Sequence, residues 1–118
     1  MRAVVAGLVL GLLAAPAMAG EFVSNYDVSG TGPGGGGAYK GQVTVKKTGE
    51  GVYQVVWVIG KDKFIGTGIG SPDGLAVGYK SGQSTGIAIY HTTETGAVEG
   101  VWTYAGGTQI GTENWSPR

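Results

Sequence analysis

Over much of the chain, apolar and polar residues change places at every second position. Tyr39, Gly41, Val43 and Val45 alternate with Lys40, Gln42, Thr44 and Lys46. That period places one set on a buried face and the other in water, as in a half-buried strand. By the same rule Tyr53, Val55, Trp57 and Ile59 share a face, as do Leu75, Val77 and Tyr79, and Val98, Gly100, Trp102 and Tyr104. The segment from Gly51 to Gly60 is the longest unbroken run of β-branched and aromatic residues. Such residues suit a pleated surface and lose rotamer freedom in a helix, so this run is expected to be a central strand.

Eight strands are predicted, near Phe22–Ser29, Ala38–Lys47, Val52–Ile59, Lys63–Gly70, Leu75–Lys80, Thr85–His91, Ala97–Tyr104 and Thr108–Trp115. Their starts recur roughly every 11 residues, the spacing of short strands joined by tight turns. Ser71-Pro72-Asp73-Gly74, Ser81-Gly82-Gln83 and Ala105-Gly106-Gly107 supply the residues that turns require. After residue 19 no window carries apolar residues at helical spacing, and no connection is long enough for a parallel crossover. The expectation is an all-β, eight-stranded antiparallel up-and-down barrel, its outer face polar. An outer-membrane barrel would need an apolar exterior instead. Inward glycines such as Gly41 and Gly100 are compatible with a filled interior or with a cavity.

The first 19 residues are read apart from this domain. Arg2 is followed by an apolar run, a break at Pro16 and the small-residue pattern Ala17-Met18-Ala19. This is the order of a secretory signal peptide, residues 1–19, cut before Gly20. Residues 20–118 then form one domain, exported to the periplasm or beyond the cell, with no apolar run long enough to span a membrane. A domain this small buries only about 60–65% of its unfolded surface, and the chain has no cysteine for a disulfide. Closure of the sheet removes unpaired edges without a covalent staple. Loss of Arg2 leaves seven Lys/Arg against eight Asp/Glu, which argues against electrostatic capture of nucleic acid.

Candidate chemistry is sparse. The glycine run Gly32 to Gly37 formally matches a dinucleotide fingerprint, yet it leads into a strand rather than a helix; a mobile hairpin loop is expected. His91 is the sole histidine, so neither a His/Cys zinc site nor a Ser-His arrangement is indicated, and an exposed position at a strand end is expected. No cofactor or metal is implied. Glu99 and Glu113 could lie opposite each other on neighbouring strands if the intervening turn has three residues. A two-residue turn would instead move Glu113 onto the Trp102 face, where it would need a buried partner. A structural, hydrogen-bonded role is expected for Glu113.

The aromatic residues are candidates for the core. A subset (Tyr39, Trp57, Tyr79, Trp102 and Tyr104) would line an open barrel end and contact an apolar ligand. The elements Tyr39-x-Gly41, Tyr53-x-Val55-x-Trp57, Gly66-Thr67-Gly68-Ile69-Gly70, Leu75-Ala76-Val77, Gly100-Val101-Trp102 and Gly111-Thr112-Glu113 resemble small exported bacterial proteins labelled fibronectin-binding. That resemblance implies an extracellular-matrix ligand. The alternation is also similar to the small barrels of the lipocalin and avidin type. The function expected is therefore non-catalytic: an exported protein binding a macromolecule or a small apolar ligand. The alternative is an envelope accessory protein or an inhibitor of a partner enzyme.

Overall fold

A computed structural model describes residues 21–118. The expected signal peptide lies outside the described residues. Eight strands form: β1 (Asn25–Thr31), β2 (Ala38–Gly49), β3 (Val52–Ile59), β4 (Asp62–Ser71), β5 (Gly74–Ser81), β6 (Ser84–Thr92), β7 (Val98–Tyr104) and β8 (Gly111–Pro117). Each pairs antiparallel with its neighbours in sequence, and β1 closes the sheet against β8 through the register from Tyr26↔Pro117 to Thr31↔Thr112. There is no helix among the described residues.

The tight turns are set by local chemistry. Gly60 and Gly82 open two-residue connections at φ 62° and 59°, a region that costs a glycine little and a β-carbon much. Two strands differ from expectation. β1 begins at Asn25 because Phe22 instead lays its ring edge-on against Tyr53, at 5.2 Å and 84°. β8 begins at Gly111 because the preceding residues are held by the glycine loop, where Gly34 N–H donates to the Ile110 carbonyl at 3.1 Å. That loop joins β1 and β2 as a hairpin leading into a strand, and it is hydrogen-bonded within itself, Gly32 N–H donating to Gly37 O and Gly36 N–H to Gly32 O, both at 3.1 Å.

The interior is built by pairing large residues with none. At inward positions Tyr39 lies opposite Gly30, Tyr53 opposite Gly68, Tyr79 between Gly66 and Gly86, Tyr90 opposite Gly100 and Trp102 opposite Gly111. A ring folded over the neighbouring strand's glycine covers its backbone and lets the sheet curl tightly. A β-carbon on Gly66 would come within 2.9 Å of the Trp57 ring, and one on Gly68 within 2.9 Å of Leu75. One half of the barrel is filled by Tyr26, Val28, Val43, Val55, Leu75, Val98 and Trp115.

The outer face departs from the sequence expectation. It is polar on β1, β2 and β8, where Asp27, Lys40, Thr44, Lys46 and Asn114 face water. Across β4 to β7, however, Ile69, Ala76, Ile89 and Val101 stand in one register row, and Ile69, Ile87 and Ile89 are 71%, 65% and 63% exposed. On β4 and β6 the outward positions carry branched isoleucines while the inward ones are mostly glycine, alanine and single rings, so residue type does not mark the outer set as wet. The row stops short of encircling the barrel, whereas a lipid-facing band must continue on every strand.

Glycine substitutions separate the two faces. Gly100→Ala would drive a β-carbon into the Tyr90 ring and to 2.6 Å from the Ile89 carbonyl oxygen, whereas Gly78→Ala on the outer face meets nothing. Thermal melts are expected to show Gly100→Ala destabilised by roughly 1–3 kcal/mol, with Gly78→Ala at or above the parent Tm. Equal melting temperatures would contradict the packing described.

Candidate functional site

The barrel half near the β3–β4 turn is not filled. A cavity of about 210 Å³ lies there, lined by Tyr39, Trp57, Ile59, Asp62, Phe64, Tyr79, Tyr90, Trp102 and Glu113. Trp57, Tyr90 and Glu113 are buried and form its floor, while Asp62 is exposed at the mouth. The walls meet at steep angles: Tyr39 with Trp102 at 74°, Tyr79 with Trp102 at 71°, Phe64 with Tyr79 at 76° and Trp57 with Tyr79 at 63°. Ring centroids in these pairs are 5.8 to 6.4 Å apart, the spacing of edge-to-face aromatic packing.

Glu113 organises the floor. It is 4% exposed and lies between Gly30 of β1 and Gly100 of β7 in register. Its Oε2 accepts from Trp57 Nε1 at 2.7 Å, Trp115 Nε1 at 2.7 Å and the Tyr90 hydroxyl at 3.0 Å. Its Oε1 accepts from the Tyr39 hydroxyl at 2.6 Å. An ionised carboxylate only accepts and an indole N–H only donates, so the four neighbours match it in kind. None of the ion pairs among the described residues includes Glu113. Hydrogen bonds do the work a counter-ion would otherwise do.

The carboxylate imposes itself on the phenols. Burial, reinforced by the negative charge of Glu113, pushes the Tyr79 hydroxyl up to about 12. The same two causes in the same order raise Tyr39 and Tyr90 well above the ordinary phenol value. Tyr26 is raised by burial, partly offset by the hydrogen bond its oxygen accepts from Val23 N–H at 2.9 Å. Tyr79 donates to the Thr103 carbonyl at 3.2 Å. The indole N–H of Trp102 approaches the Tyr39 hydroxyl without attaining hydrogen-bond geometry and stays unpartnered.

Four of the five aromatic residues singled out from sequence (Tyr39, Trp57, Tyr79 and Trp102) meet at this cavity. Tyr104 does not. It ends β7, where Gly107 N–H turns back onto its carbonyl at 2.8 Å, and its side chain is 51% exposed beside Trp102. Ile59, Asp62, Phe64, Tyr90 and Glu113 complete the lining. Phe64 shares the inward phase of Gly66 and Gly68, and Tyr90 that of Gly86 and Ala88, so both were accessible to the alternation rule.

The last hairpin resolves the two carboxylates. Glu99 faces out opposite Asn114, and Glu113 faces in opposite Gly100, the register in which Glu113 joins the Trp102 face. The two acids are thus on opposite sides of the wall. His91 is exposed and faces Glu99, with Nε2 3.4 Å from Oε1. Comparison of the chain with family models, curated proteins and solved structures finds no match. Fold and cavity together define the class: a closed eight-stranded antiparallel barrel, packed at one end and open to an aromatic chamber at the other.

Two outcomes follow from the hub. Glu113→Gln replaces one acceptor oxygen by an NH₂ donor, stranding donors that now face a donor; each buried orphan costs about 1–3 kcal/mol. Urea unfolding is expected to show a lower midpoint at unchanged slope. A phenol whose folded pKa exceeds its unfolded one stabilises the fold fully below the unfolded value, and that contribution disappears as pH rises through the folded value. For Tyr26, Tyr39, Tyr79 and Tyr90 the loss therefore begins above pH 10 and deepens toward 12 and beyond. Ultraviolet titration of phenolate together with circular dichroism would register it; full tyrosine ionisation centred at pH 10 with the barrel intact would contradict it.

Proposed function

We propose that this chain is a non-catalytic exported binding protein that takes a small, largely apolar ligand into the open half of its barrel. The observation that carries this reading is the chamber of about 210 Å³ walled by aromatic rings, directly above a floor tied together by Glu113. Barrel mouths and concave, mostly apolar cavities with a few placed polar groups are where small molecules bind. A cavity of about 150 Å³ accommodates benzene, so this one suits a ligand of one ring or a short branched chain rather than a drug-sized molecule.

The chemistry of the lining supports binding over turnover. The acceptor atoms of Glu113 carry four hydrogen bonds from the barrel itself, so the floor carboxylate is not a free base that could work in tandem with Asp62 at the mouth. A pair of acids shuttling a proton would need both within reach of one substrate.

Isothermal calorimetry of the purified protein against small aromatic and branched aliphatic compounds, with fibronectin in a parallel arm, tests this reading. Micromolar to millimolar binding of small molecules is expected, weakened about 2–10-fold by Phe64→Leu or Trp102→Leu as one ring contact is lost. Heat with fibronectin alone, insensitive to those substitutions, would move the ligand to the outer surface and the loops. Heat with neither would end the proposal.

A further inference from the structure

We infer that the chamber's occupant is a small methylated ammonium ion, gripped by the ring walls rather than by a salt bridge. This rests on the cavity being a ligand site, and it specifies the ligand's chemistry.

Six rings (those of Tyr39, Trp57, Phe64, Tyr79, Tyr90 and Trp102) surround one small space. Four neighbouring pairs meet at 63° to 76°, as adjoining walls of a box do, and Trp57 meets Tyr90 at 39° on the floor. The face of an aromatic ring carries partial negative charge and attracts a cation, most strongly once water is excluded, and boxes of such rings hold quaternary ammonium groups. A cage built only for hydrophobic contact would need no particular charge around it. This one has a consistent sign: carboxylates stand at both ends, Asp62 at the mouth and Glu113 at the floor, and no lysine or arginine lines it. Lys61 and Lys63 flank Asp62 in sequence, but both are exposed and neither lines the chamber.

Glu113 also acts through the walls. The Trp57 indole N–H and the Tyr39 and Tyr90 hydroxyls each donate to it. Donation to an anion polarises the ring toward greater electron density and strengthens its face as a cation acceptor. The negative charge thus reaches the chamber without a free carboxylate oxygen.

The same hydrogen bonds select among cations. A primary ammonium brings three N–H donors and a tightly held hydration shell. In the chamber the Glu113 oxygens already accept four bonds, so they offer little in exchange for that water. A fully methylated nitrogen has no donor to satisfy and sheds water more readily. Its volume also suits the space, since a trimethylammonium head with a short chain exceeds benzene only modestly.

Choline and its tert-butyl analogue, the neutral alcohol in which carbon replaces the nitrogen, have nearly the same shape and differ in charge. Calorimetric titration of the purified protein with each is expected to show choline binding about tenfold tighter or more. Asp62→Asn, an exposed change that leaves the fold intact by circular dichroism, is expected to weaken choline about 2–5-fold and leave the analogue unaffected. Phe64→Leu is expected to weaken choline more than the analogue. Equal or tighter binding of the analogue would overturn the cation while leaving the cavity a ligand site. Binding of neither would overturn the cation, and the neutral panel above would then decide the cavity.

Discussion

A carboxylate removed from water with no counter-ion stands at the centre of this barrel. Uncompensated, that burial would cost several kcal/mol, a large part of the stability available to a domain of this size. The compensation comes from two indoles and two phenols, contributed by β2, β3, β6 and β8, whose hydrogens converge on Glu113. Because these strands lie on different sides of the barrel, the hub can be satisfied only when the sheet has closed. The same interaction fixes the rotamers of Tyr39, Trp57 and Tyr90, and those rings are walls of the chamber. Stability and the shape of the site therefore depend on one side chain.

The pairing of rings with glycines is the second constraint, and it explains how so short a chain encloses any space at all. An inward ring needs room beyond its own strand, and the neighbouring glycine supplies it. Where valines, Leu75 and Trp115 fill the interior the barrel is solid. Toward the β3–β4 turn the inward positions pass to glycines and rings, and the rings stack around a gap instead of across it. The loops at that end are braced rather than loose: the glycine loop after β1 is hydrogen-bonded within itself and to Ile110. A chamber walled by fixed rings loses little conformational freedom on binding, which favours a small ligand.

The outer surface follows a different logic. Ile69, Ile87 and Ile89 resemble inward residues in type, yet they face solvent. Period-two alternation separates two faces only where their chemistries differ. On β2 they differ sharply, with valines within and Lys40, Lys46, Gln42 and Thr44 without. On β4 and β6 the alternation holds, but branched isoleucines stand outside and glycines or alanine share the inside with Phe64 and Tyr90, so hydrophobicity alone does not say which set faces water.

The eight strands, their antiparallel order and the inward phase of Tyr39, Trp57, Tyr79 and Trp102 were legible in the chain alone, because alternation and turn residues are local properties. The end of β7 was not: Tyr104 continues the alternation, but the chain turns at Gly107 before the strand can carry that ring inside. Sequence also left two registers open for the last hairpin, one apposing Glu99 and Glu113 and one separating them. Closure chose the second, since only there does Glu113 reach donors from three other strands, a relation between residues up to 74 apart that no local pattern encodes. Whether the interior is solid or hollow was likewise a tertiary matter. It depends on which rings cross the axis and which stand aside, and that is decided by strand stagger around a closed sheet.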